Sequence, residues 1–98
     1  MIRAQQVGDA LSVALDTELT IYQVGELHAA AQAWLAQPCP WQLDLSRVTE
    51  MDGAGLQWLL FVRQHLHAAG HSVVIDAASD AVMAVLALCP GTDLAPAA

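Results

Sequence analysis

The chain has 98 residues, enough for one small domain with a single core and too few for two. Hydrophobic residues make up 56% of it, and three arginines (Arg3, Arg47 and Arg63, with no lysine) stand against ten acidic residues for a formal net charge of -7. Such a surface repels nucleic acid and anionic lipid, both of which need a basic face, so a protein partner or a small ligand is expected instead.

In chain order, Arg3 to Val7 and Ala10 to Asp16 flank Gly8-Asp9. A two-residue Gly-Asp link between β-like runs predicts a hairpin, because glycine supplies the positive φ that the turn needs. Leu11, Val13 and Leu15 alternate with Ser12 and Ala14, so one face of the second strand points inward. Thr20-Ile21-Tyr22-Gln23 fits a capping box at the start of a helix over residues 21–36, in which Val24, Leu27, Ala31, Trp34 and Leu35 recur at helical spacing until Pro38 and Pro40 stop it. Trp41 to Ser46 alternates with period two and predicts a strand with Leu43 and Leu45 inside.

A helix then opens at "EMDGAGLQWLLF" (residues 50–61) and runs to Gly70, which is placed to end it in a left-handed conformation. His71 to Ala77 supplies a strand through Val73-Val74-Ile75. Ser79 is placed to cap a last helix carrying Val82, Met83, Val85, Leu86 and Cys89 until Pro90-Gly91. The order β-β-α-β-α-β-α predicts an α/β fold, a mixed sheet of about four strands with helices mainly on one face. One domain over residues 1–94 is expected, with residues 95–98 fraying.

The central helix carries the features least explained by generic packing. Asp52 has the acceptor oxygen and the negative charge that suit a helix N-cap. Gly53 and Gly55 each weaken a helix, by about 0.5–1 kcal/mol in its interior, and are tolerated where another backbone, a strand end or a partner approaches closely. Leu56, Leu59, Leu60 and Leu66 suffice to dock the helix on a sheet. Trp58, Phe61 and Val62, with His65, form a second line at i, i+3, i+4, i+7, which is either covered by a neighbouring helix or presented to a partner.

These residues also carry a resemblance. "LDLSRVTEMDGAGLQWLL" (residues 43–60) and "ELTIYQVGELHAA" (residues 18–30), with the element order of nearly the whole chain, resemble the STAS domain family of anti-sigma factor antagonists. In that family the helix opens on Asp, Ser or Thr, Ser, then Gly-Leu, and a serine kinase of the GHKL type phosphorylates the second hydroxyl. The resemblance places the first hydroxyl position at Gly53 and the phosphoacceptor position at Ala54, so both hydroxyls are missing and the switch has no acceptor there. The STAS subunit of the bacterial phospholipid-trafficking ABC transporter carries threonine where this chain has Gly53, which is absent too. Thr49 and Ser46 are the nearest alternative acceptors.

What the resemblance implies is a non-catalytic interaction module that docks through Asp52, Gly53, Ala54, Gly55, Trp58, Phe61 and Val62. Its partner would be a GHKL-type kinase, an anti-sigma factor or, since stand-alone members with Asp-x-Ala-Gly-Leu-Gln are similar to those encoded beside them, a chemotaxis-type histidine kinase. An accessory subunit of the lipid transporter is the alternative, and a homodimer is left open.

Other constellations carry less. His65, His67 and His71 lack a carboxylate or cysteine to complete a metal set, and Gly70 separates the last from the helix. Cys39 and Cys89 are read as free thiols, and no nucleophile, base and orienting group are arranged for catalysis, so neither an enzyme nor a cofactor is expected. Asp44 and Asp52 read as a strand end and a cap. Trp34, Trp41 and Trp58 read as core packing, with an apolar ligand pocket as the weaker option. The N-terminus has no signal-like run and the longest apolar stretch is far short of a membrane span, which places the protein in a bacterial-type cytoplasm without membrane insertion.

Overall fold

The computed structural model describes residues 2–89. Strands β1 (Ile2–Val7) and β2 (Ala10–Leu15) pair antiparallel, Val7 opposite Ala10, and Gly8 closes the link between them at φ 61°. That left-handed conformation is the one only glycine adopts without penalty. After helix α1 (Val24–Leu35), strand β3 (Trp41–Leu45) lies parallel to β2. Helix α2 (Gly53–Ala68) leads to β4 (Val73–Ala78), which pairs parallel with β3, and α3 (Asp80–Leu88) follows. The sheet order is β1-β2-β3-β4, so the expected mixed sheet and element order are both found.

Register explains the core. Val13, Leu43 and Ile75 are direct neighbours across β2, β3 and β4 and are all buried. On the helix side they meet Leu27 and Ala31 of α1, Leu59, Val62 and Leu66 of α2, and Val82 of α3. Each large aliphatic side chain so buried contributes about 1.5–3 kcal/mol. The alternate positions, Gln42 on β3 and Val74 and Asp76 on β4, are exposed on the opposite face. That face carries Arg3, whose guanidinium is paired with Asp16 at 2.6 Å, with Arg47 reaching the same carboxylate at 3.8 Å.

Two helix ends form as the sequence suggests. Gly70, at φ 85°, ends α2: its N–H donates to the His67 carbonyl (2.9 Å) and the His71 N–H to the Leu66 carbonyl (2.9 Å), the paired bonds of a Schellman stop. Ser79 caps α3 by accepting from the Val82 N–H (3.3 Å), while its own hydroxyl donates to the Val48 carbonyl (2.5 Å) and so ties α3 to the link after β3.

The start of α1 differs from expectation. The helix begins at Val24, not residue 21, and Gln23 at its N-cap position makes no side-chain capping bond. Thr20 and Gln23 instead hydrogen-bond to each other through their side chains, and residues 21–23 form a turn whose Gln23 and Val24 amides donate to the Thr20 carbonyl. The Gln23 side chain is spent on the Thr20 hydroxyl and not on the Thr20 amide, so the capping box does not close, and the Ile21 amide is bonded to Asp52 from outside the segment. The Pro90-Gly91 stop, the domain end at residue 94 and the tail 95–98 lie outside the described residues.

Candidate functional site

The link before α1 and the opening of α2 are bound together. The Leu19 N–H donates to the Glu50 carbonyl (2.9 Å) and the Asp52 N–H to the Leu19 carbonyl (3.1 Å), so Leu19 and Met51 form a short parallel bridge beyond the ends of β2 and β3. Asp52, in extended conformation, then divides its carboxylate. One oxygen accepts from Gly55 N–H of its own helix (3.1 Å), and the other from Ile21 N–H of the preceding link (3.0 Å). These bonds, the Ile21 one foremost, hold the Asp52 carboxyl below its ordinary value, because each favours the charged form. Asp52 is therefore the expected cap, and also a clasp between two segments 31 residues apart.

The two glycines separate. A Cβ on Gly55 would lie 2.1 Å from the Leu19 carbonyl oxygen and 2.8 Å from its carbon, so the close approach is real and the neighbour is backbone. A Cβ on Gly53 would meet nothing within 4 Å, so no neighbour demands glycine there. Ala54 lies between them, half-buried, in the first turn of α2.

The second line of α2 does not form a partner face as a whole. Val62 is 0% exposed and Trp58 6%, whereas Phe61 is 44% exposed. Helix α1 covers that side: the Trp58 indole N–H donates to His28 Nδ1 (3.3 Å), the Phe61 ring meets the His28 ring edge-on (5.1 Å between centroids), and His65 Nε2 bonds the Leu35 carbonyl (2.9 Å). The expectation that Trp58 and Val62 touch a partner is thus corrected, since both are packed inside, and Phe61 is the one member of the trio with surface to offer. Trp41 is fully buried, and neither it, Trp34 nor Trp58 lines the cleft described next.

That cleft, of about 540 Å³, opens beside the Asp52 clasp. Thr20 and Tyr22 form one wall, residues 49–52 the floor, and Ala81, Ala84 and Val85 of α3 the other wall. Sequence reading missed both walls. The signal was available in α3, whose inward stripe of Val82 and Leu86 leaves Val85 and Leu88 over, the same excess of apolar positions that drew attention to α2. Thr49 lines the cleft and is exposed, whereas the Ser46 hydroxyl donates to Asp44 (2.6 Å) at the end of β3. Asp44 is likewise held below its ordinary value, first by the Ser46 hydroxyl and then by the Ser46 amide, which fits the strand-end role. Among the described residues no helix is long and apolar enough to cross a membrane.

Comparison with known proteins agrees with this geometry. Residues 2–90 match the family model described as "Mlab, STAS domain". The fold is similar to that of a protein from Thermotoga maritima assigned as an anti-sigma factor antagonist, with TM-score 0.81 and 19% identity over 89% of this chain and 76% of that one. It is also similar to the anti-sigma factor antagonist SpoIIAA in its unphosphorylated form, with TM-score 0.78 and 18% identity over 100% of this chain and 89% of that one. No curated protein sequence matches the chain.

Proposed function

We propose, from the premise that this chain belongs to the STAS domain family, that it is a non-catalytic docking module for a bacterial signalling protein and is not phosphorylated at the family position. The observation that carries the reading is the opening of α2. Asp52 and Gly55 make the contacts that shape the junction, while Ala54, between them, has no oxygen to accept a phosphoryl group. A phosphate there would add charge at the helix N-terminus and alter docking; without an acceptor the surface stays in one charge state. The surface comprises Asp52, Gly53, Ala54 and the adjoining cleft, with Phe61 farther along α2, while Gly55, buried against Leu19, shapes it from beneath. The partner class is a GHKL-type kinase, an anti-sigma factor or a chemotaxis-type histidine kinase.

Incubation with a cognate GHKL kinase and ATP is expected to leave the chain unlabelled, and phosphate on Thr49 or Ser46 would refute the unswitched version. Ala54→Glu, which mimics the missing charge, is expected to weaken partner binding about tenfold or more while leaving the fold intact.

The name Mlab in the matching family description favours a second reading, an accessory STAS subunit of a phospholipid-trafficking ABC transporter. Against it, Gly53 stands where that subunit carries threonine. Co-purification separates the two: a membrane-associated ATPase supports transport, and a histidine kinase or anti-sigma factor supports signalling.

A further inference from the structure

Three of the seven exposed large apolar side chains among the described residues lie in or beside the cleft. Tyr22 (86%), Leu88 (80%) and Ile21 (62%) are the three most exposed large apolar side chains among the described residues. Tyr22 lines the cleft and Ile21 adjoins it in sequence. Leu88 continues the line of Ala81, Ala84 and Val85 by one helical turn. Soluble domains seldom leave such a group uncovered unless something docks on it.

The charges around this apolar ground are of one sign. Glu50 and Asp52 line the cleft, Asp80 opens α3 beside Ala81, and Glu18 adjoins Leu19. No basic side chain lines it among the described residues: Arg3 and Arg47 turn to Asp16, and Arg63 lies in the second half of α2. Asp52 is already engaged by two amides, which leaves Glu50 as the exposed carboxylate of the lining that can meet an incoming cation.

We infer that the occupant of this cleft is a cationic amphipathic segment of the partner protein, with an apolar side chain seated between Tyr22 and Val85 and a lysine or arginine set against Glu50. The inference rests on the docking reading above and adds the chemistry of the partner to it. Complementary charge at the rim speeds encounter and rejects wrong partners, while the apolar centre holds the complex.

The test uses the whole chain, isotope-labelled, with an amphipathic Leu/Lys helical peptide and its Leu/Glu counterpart as probes. The Leu/Lys peptide is expected to shift the amides of Tyr22, Met51 and Val85, and the Leu/Glu peptide to leave them in place. Glu50→Lys should weaken Leu/Lys binding about fivefold. Asp76→Lys, the same change of net charge on the open face of the sheet, should stay within about twofold. Comparable binding of both peptides, shifts confined to other surfaces, or an equal loss with Asp76→Lys would overturn the cationic occupant. Each of those outcomes leaves the docking module standing, which falls only if Ala54→Glu and Leu88→Ala both leave binding of the cognate partner unchanged.

Discussion

Helix α2 is held in two different ways along its length. Over its middle it is gripped by side chains, with Val62 and Leu66 fully buried in the core and Trp58 bonded to His28 of α1. At its opening it is gripped by backbone, through the Leu19 carbonyl against Gly55 and the Asp52 carboxylate between two amides. Side-chain packing tolerates adjustment, because neighbours can change rotamer or leave a small cavity. A backbone contact fixed by hydrogen bonds on both sides has little room to give. The opening is therefore the less forgiving region for bulk, although it lies at the surface, and the proposed docking surface is held there in one shape.

Gly55→Ala gives the largest contrast. Elsewhere in a helix this change gains about 0.5–1 kcal/mol. Here the new Cβ stands 2.1 Å from a carbonyl oxygen, so the junction must open, at a cost of about 3 kcal/mol. Gly53→Ala, with open space around it, should be neutral or stabilising by up to about 0.5 kcal/mol. Chemical denaturation of the two variants checks the pair, and equal effects would refute the backbone grip. Val62→Ala comes next, losing about 2 kcal/mol to a cavity without altering the affinity of the folded protein for its partner. Tyr22→Ala and Leu88→Ala reverse that pattern, changing stability by less than about 0.5 kcal/mol while weakening docking.

What the sequence made legible follows the same division. Gly8, Gly70, Ser79 and the alternation in β2 and β3 are local signals, and each formed what it predicted. Asp52 and Gly55 were recognisable as a cap and a close-approach glycine, but Leu19, the backbone that Gly55 meets, is far away in sequence and no periodicity points to it. The start of α1 was misplaced because Thr20 and Gln23 match a capping box by residue type, whereas their side chains bond each other and leave the box open. Trp58 and Val62 were ambiguous in principle: a wide apolar arc looks the same whether α1 or a partner covers it. The cleft was missed because its walls come from three segments, each unremarkable alone.

The smallest expected effect is electrostatic, and it probes the clasp without adding bulk. Both Asp52 and Asp44 sit below the ordinary carboxylate value of 3.8 in the folded chain. For a group lowered in this way the folded state binds the proton less readily than the unfolded state. Its stabilisation is complete above the unfolded pKa and is lost as pH falls through the folded one. Stability should thus be insensitive to these groups at neutral pH and decline on the acid side of 3.8. Asp52→Asn removes the charge and keeps an acceptor for only one of the two amides, so it should lower stability at neutral pH and make the acid limb shallower, with Asp44 supplying what remains. In the wild-type chain the amide signals of Ile21 and Gly55 should move together through a single transition below 3.8, because one carboxylate serves both. Separate midpoints, or an Ile21 amide that does not titrate, would mean that Asp52 caps its own helix alone and that the two segments are joined only through Leu19.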